Sequence, residues 1–281
     1  MSALRAVPDL SGLNREDTVA ALRKSMAGLG AVVPEPASGR GGDGGRGSHV
    51  VVGDGGGVVP AAGDGYSVAD GRVPVPAGLA GLLDGGLLKG AVSSIDAAGA
   101  VVAGILAEVT AAGGHVALVG LPDFAPLSIV EHGGDLSRVL DVPEPGESPL
   151  EVVALLADGV DVVVVKLERT PPPSAARPVM ARLRGSGCAL LYVGEGWPGS
   201  KVSVASRVTA IHGLGAGHGR IRGVEFHVTA RGAGRPERGV RWTIGDCPTS
   251  EAAATEATAL DVREGSGAAG GVVPLPLRKA E

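Results

Sequence analysis

Short, uninterrupted apolar runs punctuate the middle of the chain, at Ala91–Ile95, His115–Gly120, Asp161–Val165 and Cys188–Val193. Runs of this kind suit strands buried on both faces of a parallel sheet. Helical spacing between them predicts helices over Val101–Ala112, Leu150–Ala157 and Ala175–Arg184. The second helix opens with Ser148-Pro149-Leu150-Glu151, a capping box with proline at the first helical position. Strand–helix alternation means βαβ units, hence a mostly parallel sheet flanked by helices. Past Lys201 the period falls to two: Val224, Phe226 and Val228 alternate with Glu225, His227 and Thr229, and Val240, Trp242 and Ile244 with Arg241 and Thr243. That is the signature of half-buried strands, and the intervening RGAGRPERG supplies a turn, so the sheet is predicted to end in an antiparallel hairpin.

The flanks read differently. Val19, Leu22, Met26 and Leu29 recur at helical spacing behind Asn14, a good cap, and predict an amphipathic helix over residues 15–29. From Pro34 to about Gly57 the chain is too rich in glycine and too poor in bulky side chains to offset the entropy of ordering it. The stretch past Cys247, with SEAAATEATA and GSGAAGG, is similarly weak. The expected organisation is an N-terminal helix (1–33), a disordered Gly-rich linker (34–72), an α/β core (73–246) and a low-complexity tail (247–281). A helix tethered by so flexible a linker need not serve the core, so Val19, Leu22, Met26 and Leu29 are expected to bind a partner.

Composition narrows the function. The 48 Gly and 20 Pro fit sizeable unpacked stretches, and 2% aromatic residues leave a core of Val, Ala, Leu and Ile. A formal charge of −5 argues against a protein that coats nucleic acid through bulk electrostatics, although a local basic patch remains open. Cys188 and Cys247 make neither a disulfide framework nor a thiolate zinc site, and His212, His218 and His227 lack metal-ligand spacing. Neither a leader nor a run of about 18 uncharged apolar residues stands out, so a cytoplasmic protein is expected.

Leu83-Asp84-Gly85-Gly86-Leu87-Leu88-Lys89-Gly90 before the first core strand, Ala112-Gly113-Gly114 before the second, Gly134-Asp135-Leu136-Ser137-Arg138-Val139-Leu140 before the third and Gly159-Val160-Asp161-Val162-Val163-Val164-Val165 closing the fourth resemble the RecA recombinase core. The resemblance covers about Val73 to Val193 and implies a RecA-like sheet. Leu121–Pro126, Gly133–Leu140 and the late His212–Gly215, Arg220–Val224 and Arg241-Trp242 segments are similar to ImuA, a divergent RecA-like branch of bacterial damage-induced mutagenesis operons.

Phosphate capture in such a fold needs GxxxxGK[ST] after the first strand: glycines that let backbone N–H groups surround the phosphates, a lysine to balance their charge and a hydroxyl to ligate magnesium. Here Gly99 matches the second motif glycine, but Ala100 stands at the lysine position and Val101 at the hydroxyl position, while Asp96 would turn a negative charge toward the phosphates. At the fourth strand's end, where a RecA-like site holds the metal shell with an aspartate, stands Lys166. The family's catalytic carboxylate would fall in Gly120–Asp123, where Asp123 reads as a turn former. The implied protein is a pseudo-ATPase without cofactor or metal. The segments matching the two DNA-gripping loops, Glu168–Ser174 and Gly194–Ser200, are too short for filament-type strand exchange, and Trp197 is expected to pack rather than stack on bases.

Arg207, Arg220, Arg222, Arg231, Arg235, Arg238 and Arg241 crowd the end of the core with only Glu225 and Glu237 opposing them. A solvated hairpin face is the plain reading; Arg220, Arg222, Arg231 and Arg241 are the candidate DNA contacts, expected to be weak. The resemblance implies an accessory protein of SOS-induced translesion synthesis, partnered by an ImuB-like inactive Y-family polymerase relative and, indirectly, a DnaE-type error-prone polymerase, with self-association or RecA as further partners. A RecA/RadA-like protein that still binds nucleotide, or a cell division inhibitor, are the alternatives.

Overall fold

Val162, Val163, Val164 and Val165 are each 0% exposed, because the strand they form lies mid-sheet with helices over both faces. In this computed structural model the described residues are 5–7, 9–30, 71–97, 99–215, 218–232 and 234–247. Most of the expected linker and nearly all of the expected tail lie outside them.

The strands are β1 (Arg5–Ala6), β2 (Arg72–Val73), β3 (Leu87–Leu88), β4 (Val92–Ile95), β5 (Val116–Val119), β6 (Val139–Val142), β7 (Val162–Lys166), β8 (Ala189–Val193), β9 (Val202–Gly215), β10 (His218–Gly232) and β11 (Arg238–Gly245). The helices are α1 (Arg15–Leu29), α2 (Ala77–Ala80), α3 (Ala100–Ala111), α4 (Leu127–Glu131), α5 (Pro149–Leu156) and α6 (Pro173–Ser186). Nine strands form one sheet in the order β1-β6-β5-β7-β8-β4-β9-β10-β11, parallel from β1 through β9 and antiparallel thereafter. This is the architecture expected from the sequence: a mostly parallel sheet flanked by helices that ends antiparallel. The antiparallel part has three strands, since β9 joins the expected pair.

One face of the sheet carries Leu118, Val164 and Leu191 against Leu79 of α2, Val102, Ile105 and Leu106 of α3 and Ile129 of α4. The other carries Ala117, Val163, Val165 and Leu190 against Val152, Val153 and Leu156 of α5 and Val179 and Leu183 of α6. β2 and β3 make a small separate ladder, and Gly86 is required there because a Cβ would run into the Val73 carbonyl.

The N-terminal segment corrects an expectation. Helix α1 is closed at both ends, by the Asp17 amide donating to Asn14 Oδ1 at 2.9 Å and by Gly30 in the left-handed region. It lies against β6 and α5, with Leu22 and Met26 at 0% exposure beside Leu140, Val142, Val152 and Leu156. Leu22 and Met26 are therefore core residues rather than partner-binding ones; Val19 and Leu29 stay half-buried. The physical reason is the sheet edge: β6 and α5 expose an apolar face that some element must cover, and the nearest amphipathic helix does so. β1 pairs with β6 and fixes the entry to that helix.

Helix α5 starts at Pro149 behind Ser148, but Ser148 makes no side-chain cap bond. Glu151 instead meets Arg15 of α1 at 3.3 Å, so the expected capping box is spent on joining two helices.

Candidate functional site

The place where a RecA-like fold binds phosphate is the loop between β4 and α3. β4 is buried along its whole length, and its C-terminal end is level with Val193 of β8 and Val204 of β9. Lys166 pairs with Val193 in turn, so Ile95 and Lys166 flank β8 on one rim of the sheet. Gly120 follows β5 on the same rim, with φ 68°; a Cβ there would approach the Lys166 carbonyl oxygen to 2.6 Å, which holds the two strand ends close.

Each motif position has another occupation. Ser94, five places before Gly99, is 3% exposed, and its hydroxyl donates to Ser200 Oγ at 3.1 Å. Gly99 caps α3 without a side-chain bond. Ala100 packs against the core, and Val101, at the position of the metal-binding hydroxyl, is 2% exposed within the α3 face of the core. Lys166 is exposed at the end of β7. The residues at these positions supply neither a lysine for phosphate nor a hydroxyl and carboxylate for magnesium. Among the described residues no group of three or more His, Cys, Asp or Glu comes together as a metal site.

Asp96 corrects a second expectation. Its Oδ2 accepts from the Ser206 amide of β9 at 3.0 Å, and its own amide donates to the Val204 carbonyl at 3.1 Å. The carboxylate is thereby engaged by the neighbouring strand, an arrangement that nothing in the local sequence announced. Asp123 is exposed in the turn after β5, between buried Leu121 and Phe124.

The loops after β7 and β8 close over the rim. Thr170 Oγ1 donates to the Glu195 carbonyl at 3.0 Å and lies 3.3 Å from the Tyr192 hydroxyl. Trp197 is 3% exposed, its ring tilted on Tyr192 at 5.2 Å. The ring is therefore packing material, unavailable for base stacking. Burial also pushes the Cys188 thiol well above its ordinary range, which leaves it an inert core side chain.

The arginines divide into two groups. Arg231 meets Glu237 at 2.9 Å, Arg241 meets Glu225 at 3.5 Å, and Arg235 and Arg238 both hold Asp84, at 2.7 and 2.9 Å. The pair on Asp84 keeps that carboxyl below the usual carboxylate range, Arg238 foremost through its hydrogen bond. Arg207, Arg220 and Arg222 are exposed and have no acidic partner among the described residues. Of the four candidate DNA contacts, Arg231 and Arg241 are thus engaged internally, and Arg220 and Arg222 are not.

A concavity of about 460 Å³ lies between α1, α5 and the loop before α5. Leu13, Val19, Leu155 and the Arg15–Glu151 pair line it, and Leu13 is 42% exposed. No helix among the described residues is long and apolar enough to cross a membrane.

Residues 80–199 match a family model described as the MT3502 N-terminal domain. The uncharacterized protein Rv3395c of Mycobacterium tuberculosis (strain ATCC 25618 / H37Rv) is 40% identical over 173 residues, covering 59% of this chain and 79% of that protein. Among solved structures, the RadB recombinase has 16% identity and a TM-score of 0.45, over 60% of this chain and 93% of that one. The flagellar accessory protein FlaH from Methanocaldococcus jannaschii has 8% identity and a TM-score of 0.36, over the same shares.

Proposed function

This chain belongs to the family of the Mycobacterium tuberculosis protein Rv3395c, and within that family we propose that it is a pseudo-ATPase, a non-catalytic RecA-like accessory protein of DNA-damage-induced translesion synthesis and mutagenesis. It acts through protein–protein contacts, with an ImuB-like inactive Y-family polymerase relative as direct partner and a DnaE-type error-prone polymerase reached through it. The observation that carries the reading is the joint replacement at two strand ends: Ala100 and Val101 at the start of α3, and Lys166 at the end of β7. Phosphoryl transfer depends on a preorganised cation and metal shell, so their loss removes most of its electrostatic stabilisation. Val101 adds to this, because its side chain is part of the core and a hydroxyl there would be buried without water. The role in mutagenesis is supported by the ImuA-like segments Leu121–Pro126, Gly133–Leu140 and Arg220–Val224. Of the N-terminal stripe, the half-buried Val19 and Leu29 are left to take part in a partner contact, and Val19 lines the groove between α1 and α5.

The test has two readouts on the full chain. Calorimetric titration with magnesium ATP is expected to give no saturable heat, and copurification with the ImuB-like protein of the same genome is expected to succeed. Micromolar ATP binding overturns the pseudo-ATPase half; failure to associate overturns the partner half.

A further inference from the structure

The β9–β10 hairpin outruns the strands that hold it. β4 pairs with β9 only at Val202–Val204, and β11 pairs with β10 only from Gly223 to Ala230. The tip, formed by residues 212–215 and 218–221, is therefore held on neither edge by another described strand, and the Arg222 carbonyl at its base accepts from the Asp246 amide just past β11 at 2.9 Å. Asp96 anchors the base of this arm at Ser206, beside the loop that leads into α3.

The tip is also bent in a defined way. The register jumps from Gly219 opposite Leu214 to Gly223 opposite His212, so Arg220, Ile221 and Arg222 together face Gly213. Gly213 has φ 90°, and a Cβ there would meet the Arg222 amide nitrogen at 3.0 Å and its Cγ at 2.8 Å. The bulge takes Arg220, Ile221 and Arg222 out of register with β9, while the Arg222 carbonyl stays bonded to the Asp246 amide on the other side. All three are exposed, Ile221 at 58%.

Charge selects the occupant. Four arginines nearer the hairpin's base and its β11 side are neutralised by Glu225, Glu237 and Asp84, whereas Arg207, Arg220 and Arg222 have no acidic partner among the described residues. On a chain of net charge −5, that makes the arm a local cationic feature complementary to a polyanion. A two-stranded ribbon fits the major groove of duplex DNA. Single-strand binders instead rely on aromatic side chains for base stacking, and residues 207–222 include no Phe, Tyr or Trp. We infer that the β9–β10 arm is a sequence-independent duplex-DNA contact, in which Arg207, Arg220 and Arg222 take backbone phosphates and Ile221 lies against the groove. The contact goes beyond the pseudo-ATPase reading and does not depend on it: ATP calorimetry and DNA binding can each fail alone.

The experiment is fluorescence anisotropy of the full chain with a labelled duplex and with its single strand, across a salt series. Each lost phosphate contact should reduce the slope of log affinity against log salt by about 0.9, so the Arg207→Ala, Arg220→Ala, Arg222→Ala triple variant should weaken duplex binding and flatten the slope by about 2 to 3. Arg231→Ala with Arg241→Ala should leave affinity and slope as in the wild type. Ile221→Ser should weaken binding at an unchanged slope. Thermal melting of the triple variant should match the wild type, since the three side chains are exposed. The inference is overturned by absence of duplex binding at low salt, by tighter binding of the single strand, or by equal losses in the two arginine sets. It is also overturned if the triple variant keeps its DNA affinity but loses self-association in sedimentation, which would assign the arm to a second copy of the chain.

Discussion

The parallel and antiparallel halves of the sheet are built from one chain by opposite rules. In β5 and β8 every residue is buried, as are the four valines of β7. In β11 only Trp242 is buried, and its neighbours alternate toward solvent. Helices over both faces make the first half a place where an unpartnered polar group is costly; a single covered face makes the second half a place where charge can be displayed. The difference separates burial from charge: the parallel half is packed on both faces, and the antiparallel half displays Arg207, Arg220 and Arg222 at the surface. Besides the β4–β9 pairing, the Asp96–Ser206 bond and the ion pairs on Asp84, the two are joined through one aromatic side chain, Trp242. Trp242 lies over α2 and α3, where a Cβ on Gly78 would approach its Cδ1 to 2.8 Å and one on Gly104 its Cη2 to 3.1 Å. Its ring also meets Phe226 at 5.7 Å and stacks on His132 at 6.1 Å.

The sharpest way to break the comparison is Trp242→Ala. Removing a buried tryptophan costs about 3–5 kcal/mol where the site cannot collapse, and glycines at 78 and 104 leave nothing to fill the gap. The whole chain should melt at lower temperature in one transition. Native-state hydrogen exchange decides the matter: loss of protection confined to β9–β11, with the parallel half unaffected, would mean that the halves are separate cooperative units.

Next in size is Leu22→Ala, which deletes a fully buried side chain between α1 and the β6–α5 face. A cost of about 2–5 kcal/mol in denaturant melting is expected. If stability is unchanged while association with a partner fails, α1 belongs to an interface and the parallel half ends at β6 without it.

How much of this was readable in the sequence follows from the same contrast. The strands at 92–95, 116–119, 162–166 and 189–193 fall within a residue or two of the apolar runs, because burial on two faces leaves an unbroken signal. β6 is harder to see, since Asp141 interrupts a run of only four residues, and β9 is rich in Ser, Thr and Ala, which blur an alternation that half-burial would otherwise print. The placing of Gly99, Ala100 and Val101 at the start of α3 was legible because the phosphate motif has fixed offsets from a strand end. The engagement of Asp96 by β9 was not, and neither was the division of the arginines: Asp84 lies 151 and 154 residues before Arg235 and Arg238, so only the fold brings them together. The stripe on α1 announced a helix and a contact, but tertiary packing decided that Leu22 and Met26 face the same chain.

The smallest expected effect tests the rule that the parallel half does not accept unpartnered charge. Asp141 sits in β6 between Ala6 of β1 and Leu118 of β5, half-buried, with Oδ1 lacking a hydrogen-bond partner among the described residues. Burial raises its pKa above the ordinary 3.8, so the folded chain holds that proton more tightly than the unfolded one. The sign then follows from linkage. The contribution is fully present below 3.8 and is lost as pH rises through the raised folded value, above which the charged carboxylate is a constant burden. Asp141→Asn keeps the shape and removes the charge. It should stabilise the chain at neutral pH by no more than about 1 kcal/mol, since solvent still screens a half-buried group. The gain should shrink as pH falls and disappear below 3.8, where the native aspartate is itself neutral. Melting curves of both proteins between pH 3 and pH 8 measure this directly. A gain that is flat across that range, or a loss at neutral pH, would show that the Asp141 charge has a favourable partner and that the parallel half tolerates what its burial pattern says it should not.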